Sequence, residues 1–270
     1  NFYRTRSMDN IMEEISLAVK KYHINVLIMQ DEIFAINKER IKEFCKRLNL
    51  LKQETGQEIK WFAQMRVNGV DEELLKIMKE SGCHVVGYGF ESFSDAVLKS
   101  MRKQITGKEI EKAFFWTMKA GIAVQANFIF GDLAETKETA YETLNWWKRN
   151  ARGQIYMDFI QPYPDSYIYR QAIKKGIVKD KLELIKGFEG QGYTVWNLTD
   201  KMTNEEVFNL NKEVKESLAK YRKYVSPSSI KKTSNGRYSL EITCPYCKTK
   251  YTMKNCKMDN RLFFGFSTTC

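Results

Sequence analysis

No stretch of this sequence approaches the roughly 18 consecutive apolar residues of a membrane-spanning helix, and no secretory leader is recognisable at its start. Cysteine is sparse, at six residues in 270, and its uneven placement is not that of a disulfide framework. Histidine is rarer still: His23 and His84 stand in no ligand or catalytic spacing and are expected to be structural. No glycine-rich loop follows an apolar run in the dinucleotide-binding pattern, and no repeat is visible beyond alternating strand-like and helix-like segments. These absences argue against a helical membrane protein, a secreted disulfide scaffold and a nucleotide-binding open sheet. They favour a reducing compartment, with the cytoplasm as the expected location.

What is present can build a sizeable core, because 43% of the residues are hydrophobic and the length suits one large domain with a small appendage. The formal net charge of +11 suits polyanions such as tRNA, phosphorylated sugars or an anionic cofactor. The lysines, however, are mostly scattered singly or in pairs, as on solvated helix faces, so a nucleic-acid partner is not favoured on charge alone. Four of the six cysteines, at 244, 247, 256 and 270, crowd into the last 27 residues, which points to a terminal metal site. The chain starts with Asn1 rather than Met and stops at Cys270, so both ends are expected to be cut edges.

Along the first 176 residues, apolar runs and amphipathic stretches alternate. Ser7 is expected to cap a helix with Ile11, Ile15, Ala18, Val19 and Tyr22 on its apolar face, and Asn37 one with Ile41, Phe44, Cys45, Leu48 and Leu51. Buried strands are expected to start near residues 25, 59, 84, 122 and 154, each followed by a helix. Two of those helices are announced by a Thr106–Glu109 capping box and by Asp71. Short apolar strands alternating with helices mean a parallel sheet with covered faces. Polar residues at several strand C-terminal ends favour a (β/α) barrel of the TIM-like kind, with its first strand expected upstream of residue 1. Residues 177–202 read as irregular, Thr203–Glu206 as a capping box opening a further helix, and 226–229 and 234–236 as linker. The expected domains are 1–176, 177–230 and 231–270.

The strand ends carry Gln30-Asp31-Glu32, Gln64-Met65-Arg66, Phe90-Glu91-Ser92, Asn127 with the turn from Gly131 to Thr136, and Gln161 to Ser166. A series of short motifs, in order, resembles the radical S-adenosylmethionine enzymes. They are Arg4-x-Arg6-Ser7, Gln30-Asp-Glu-x-Phe34, Arg66, Ser81-Gly-Cys83, Gly87-Tyr-Gly-Phe-Glu-Ser92, the Gly131 to Thr136 turn and Pro162-x-Pro164. The nearest resemblance is to the branch that often carries an N-terminal cobalamin-binding domain, and it covers about residues 1–176. It implies a CxxxCxxC loop holding a [4Fe–4S] cluster, S-adenosylmethionine on the open iron, and an electron donor. It further implies a 5′-deoxyadenosyl radical that initiates methylation, methylthiolation or rearrangement of an unread substrate. Cobalamin enters only if the upstream domain exists.

The sequence departs from that pattern at one decisive point, since no CxxxCxxC occurs in it. The cluster ligands are expected upstream of Arg4, and the 270 residues alone are expected to be inactive. Leu133 and Asp165-Ser166 are milder departures. The resemblance assigns Asp31 and Glu32 to the cofactor's ammonium and Glu91 to its ribose or amino-acid part. Arg66 suits a carboxylate, with an ion pair to Glu91 or Asp31 as the alternative. Ser92 is a cofactor contact or a helix cap. Asn127 should face the lumen or a ligand, and Gly131 lets the backbone approach the adenine. Glu135 and Thr136 are expected to cap the next helix, and Cys83 to lie in the core.

The tail reads Cys244-Pro-Tyr-Cys247, then Cys256 and Cys270. A Cys-x2-Cys knuckle after a strand at 238–243 is half of a zinc ribbon. Cys244, Cys247 and Cys270 are the expected ligands, with Cys256 as a substitute, and an auxiliary iron–sulfur cluster is the rival. An RNA-modifying enzyme, and a barrel that binds without catalysis, are the alternative functions.

Overall fold

In the computed structural model the described residues are 4–31, 34, 37–151, 154–189, 195–221, 225–234, 236–245 and 248–257. Two compact units divide at Leu218/Ala219. The first is an α/β unit. Its strands are β1 (Val26–Ile28), β2 (Lys60–Gln64), β3 (Cys83–Glu91), β4 (Ala123–Phe130) and β5 (Ile155–Phe159). All four pairings are parallel, and the sheet order β1-β2-β3-β4-β5 follows the chain. Sequential order without reversal distinguishes this sheet from doubly wound ones, which change direction at a switch point. It is compatible with part of a (β/α) barrel.

Helices α1 (Met8–Tyr22), α2 (Lys38–Thr55), α3 (Glu72–Glu80), α4 (Asp95–Ser100), α5 (Gly107–Lys119) and α6 (Lys137–Asn150) connect or precede the strands. Their starts follow the local chemistry. The side chains of Ser7, Asn37 and Asp71 each accept a backbone N–H of the first turn, and Thr106 and Glu109 close a reciprocal capping box. One sheet face and the helices enclose the core, in which Trp61, Phe90, Phe128, Trp146 and Trp147 are fully buried. Their polar edges are satisfied: Trp61 Nε1 donates to Ser81 Oγ at 3.1 Å, and Trp147 Nε1 to the Ile155 carbonyl at 2.6 Å.

Several elements differ from the sequence reading. The strand near residue 25 is not buried; Val26 and Ile28 are more than half exposed, because they point to the sheet face that the helices leave open. Tyr22 is exposed, since α1 buries the narrower stripe of Met8, Ile15 and Val19. The six-residue helix α4 lies between the strand expected near residue 84 and the helix expected at Thr106, where no element was anticipated. After α7 (Tyr167–Lys174), residues 177–202 are not irregular throughout but contain α8 (Lys181–Glu189). Gly187 disguised that helix, whose Leu184 packs with Ala172, Val178 and Leu198. Helix α9 (Asn204–Tyr221) opens at Thr203, whose hydroxyl accepts the Glu206 N–H while the Glu206 carboxylate accepts the Thr203 N–H.

The second unit contains an antiparallel sheet of β6 (Ser229–Ser234), β7 (Arg237–Thr243) and β8 (Lys250–Lys257), in that order. The serine-rich stretch expected to be linker therefore supplies a strand and the approach to a hairpin turn at Gly236, whose φ is 69°. No helix among the described residues is long and apolar enough to cross a membrane.

Candidate functional site

Alternation along parallel strands sorts their side chains onto two faces. Trp61, Ala63, Val86, Tyr88, Phe90, Ala126, Phe128, Phe130, Ile155 and Met157 are buried on the helix side. The register places Gln64 beside Gly87 and Gly87 beside Gln125, then Gly89 beside Asn127 and Asn127 beside Tyr156, and Ile129 beside Asp158. The opposite face thus presents the amides of Gln64, Gln125 and Asn127, the Tyr156 phenol, the Asp158 carboxylate and two glycines along β2 to β5, beside the apolar Ile129. This face offers hydrogen-bonding groups rather than a purely apolar surface.

The glycines are dictated by their neighbours. A Cβ on Gly87 would lie 2.3 Å from Gln64 Oε1, so only glycine lets that amide cross the strand. A Cβ on Gly89 would lie 2.9 Å from Glu91 Oε1 and 3.0 Å from Lys103 Nζ. Glu91 itself has φ 63°, a left-handed conformation costly for a side-chain-bearing residue, and the β3–β4 register shifts between Gly89 and Glu91. Its carboxylate accepts from Lys103 Nζ at 2.8 Å. Lys103 was not singled out in the sequence because it lies twelve residues away in a loop. The signal for it is spatial.

Four of the expected residues lie along the C-terminal side of the sheet with different freedom. Asp31 is exposed just past β1, while Glu32 lies outside the described residues. Arg66 follows β2, is exposed, and makes none of the anticipated ion pairs with Glu91 or Asp31. Asn127 is exposed on the open sheet face. Ser92 points elsewhere. Its hydroxyl is 1% exposed, lies 3.1 Å from Thr143 Oγ1, and accepts the Ser94 N–H at 3.1 Å. It fixes the loop after β3 onto α6. Gln125, Tyr156 and Asp158 join the open face without having been anticipated; alternation about Asn127 was the available signal.

Gly131 ends β4 with φ 97° and donates its N–H to the Glu135 carboxylate. Glu135 and Thr136 were both expected to cap α6; Thr136 does so through the Thr139 N–H, while Glu135 instead accepts the Gly131 N–H. Glu135 is 1% exposed, and burial pushes its carboxyl up to about 7, above the usual carboxylate range. Thr199 Oγ1 donates to the Glu135 carbonyl at 2.7 Å and ties the segment before α9 to this turn. Cys83 is buried in the core, as expected, and burial raises its thiol pKa.

In the second unit Cys244 opens the β7–β8 turn, where Lys248 N–H donates to its carbonyl at 3.0 Å. Cys247 and Cys270 lie outside the described residues. Cys256 pairs with Tyr238, six residues along β7 from Cys244. At the strand rise that separation is on the order of 20 Å, so Cys256 cannot share a metal ion bound at the Cys244 turn. Among the described residues no three His, Cys, Asp or Glu side chains gather as a metal site.

The Radical SAM superfamily matches residues 1–146, more than half of the chain, and the chain belongs to that superfamily. It is 32% identical over 176 residues to an uncharacterized methyltransferase of Pyrococcus horikoshii, covering 65% of this chain and 38% of that protein. To the anaerobic magnesium-protoporphyrin IX monomethyl ester cyclase of Rubrivivax gelatinosus it is 29% identical over 184 residues, covering 66% and 32%. The chain thus spans about a third of the length of these relatives. The fold is similar to that of the radical S-adenosylmethionine methyltransferase TsrM from Kitasatospora setae, solved with cobalamin and a [4Fe–4S] cluster. The TM-score is 0.53 at 15% identity, over 62% of this chain and 32% of that one.

Proposed function

We propose that the open face of the five-stranded sheet binds S-adenosylmethionine in a radical enzyme that methylates, methylthiolates or rearranges its substrate. The observation that carries this reading is the row of glycines, amides and carboxylates on that face, in a chain of the Radical SAM superfamily. The residues fit the cofactor's polar groups. Asp31 and Glu91 suit an ammonium or ribose hydroxyls, Arg66 suits a carboxylate, and Asn127 can both donate and accept. When bound, S-adenosylmethionine supplies the methyl group or the radical; the chain supplies orientation and polar complementarity.

The cluster is a different matter. Cys45 and Cys83 are buried in the core, and no CxxxCxxC occurs in the 270 residues. Cys45 and Cys83 offer no fitting ligand set for a cluster. The relatives named as methyltransferases support methyl transfer; cobalamin use and the identity of the substrate belong to the longer relatives.

The reading is tested with Gly89→Ala. The atoms its Cβ would meet are the flexible ends of Glu91 and Lys103, so stability should change by less than about 1 kcal/mol while the Glu91 carboxylate is displaced. Calorimetric titration with S-adenosylmethionine should show binding about tenfold weaker than in the parent chain. Equal affinity in the two proteins would remove the sheet face from the site.

A further inference from the structure

The charge of this protein is divided unequally between its two units. Residues 219–270 contain eleven Lys and Arg against two acids, Glu241 and Asp259, so they hold +9 of the net +11. The first unit, five times larger in charged residues, is close to neutral. Some of its cations are also ion-paired, as in Lys38–Asp71, Lys119–Glu72 and Lys148–Glu213. Lys231, Lys232, Lys250 and Lys254 of the second unit form no ion pair among the described residues. Such a concentration of uncompensated charge opposes folding by self-repulsion and calls for a polyanion.

The strand register says what kind. Leu240 pairs with Ile230 and Met253, and Ile242 with Tyr251, which collects the apolar side chains on one face. Lys231 pairs with Ser239, Glu241 with Thr252, and Thr243 with Lys250, so the other face carries hydroxyls and cations around a single carboxylate, Glu241. Arg237 alternates with Ser239, and Lys254 with Thr252, onto that same face. A bilayer surface is bound by inserting apolar side chains beside the basic ones, and this basic face has none. Aromatic rings for stacking on unpaired bases are absent from it too. Ammonium, guanidinium and hydroxyl groups on a flat sheet are the donors that contact a phosphate backbone.

We propose that the β6–β8 sheet docks a helical nucleic acid through its basic face, by phosphate contacts that do not read the bases. This inference stands apart from the cofactor reading, and its failure leaves that reading untouched.

The test is fluorescence anisotropy on the full 270-residue chain with a labelled 20-base-pair duplex, as RNA in one arm and DNA in the other, across a salt series. A third arm uses vesicles containing phosphatidylserine. Four phosphate contacts give a slope of log K against log[salt] of about −3 to −4. The variant K231E/K250E/K254E should bind at least tenfold more weakly, with the slope reduced by about 2 or 3. K231Q/K250Q/K254Q, checked for folding by circular dichroism, should show a smaller loss in the same direction. K46E/K76E/K108E removes the same charge from the first unit and should change affinity less than about threefold. A preference for one duplex tells RNA from DNA. Equal losses in the two charge-reversal variants would overturn the proposal, as would saturable binding to neither duplex or binding to vesicles alone.

Discussion

A carboxyl group 1% exposed is a liability unless its surroundings compensate. Glu135 is compensated in part by the Gly131 N–H that it accepts, yet burial dominates and its pKa is pushed up to about 7. A carboxyl whose folded pKa exceeds its unfolded value, near 4.5, stabilises the fold fully below that unfolded value. The contribution is lost as pH rises through about 7. The chain should therefore lose on the order of 3 kcal/mol between pH 4.5 and pH 8 from this residue. Glu135→Gln keeps an acceptor for the Gly131 N–H and removes the titration. Urea unfolding should find the variant more stable than the parent at pH 8, with a flatter profile from pH 5 to 8. Parallel profiles for the two proteins would mean that Glu135 is ionised at no cost in the fold.

Among elements, the helices show how local chemistry sets boundaries. The Thr106–Glu109 box supplies two of the N–H partners that α5 lacks internally. Thr106→Ala should cost about 1 kcal/mol, measured by thermal denaturation, and a loss below about 0.2 kcal/mol would mean that water replaces the cap. Such caps were legible at Ser7, Asn37, Asp71 and Thr106 because they depend on residues three apart. The five parallel strands were legible because each is an apolar run between amphipathic stretches. What escaped depends on contacts distant in sequence. α8 is held by Leu184 against Ala172 and Leu198. β6 is held by pairing with β7 although Ile230 is its only apolar residue. The site was legible in part for the same reason. Asn127 stood out as a polar residue in an apolar strand, and Glu91 as an acid ending one. Lys103 joins Glu91 only through the fold, and the role of Ser92 became plain only with Thr143 beside it.

Over the whole molecule, the division into two units separates two chemistries. The first unit has polar groups on the open face of a parallel sheet, the face on which barrel enzymes gather their ligands at strand ends. The second holds most of the net charge, and its Lys231, Lys232, Lys250 and Lys254 form no ion pair among the described residues. Composition alone blurred the two, because a net +11 spread over 270 residues resembles ordinary lysine-rich helices.

Binding at the sheet face is the central claim, and direct ultraviolet photolabelling with radiolabelled S-adenosylmethionine, followed by peptide mapping, tests it most directly. Label should appear in peptides spanning residues 87–91 and 125–131 and be suppressed by excess unlabelled cofactor. Competable label confined to residues 219–257, or to helix surfaces of the first unit, would contradict a cofactor site on the open face of the sheet.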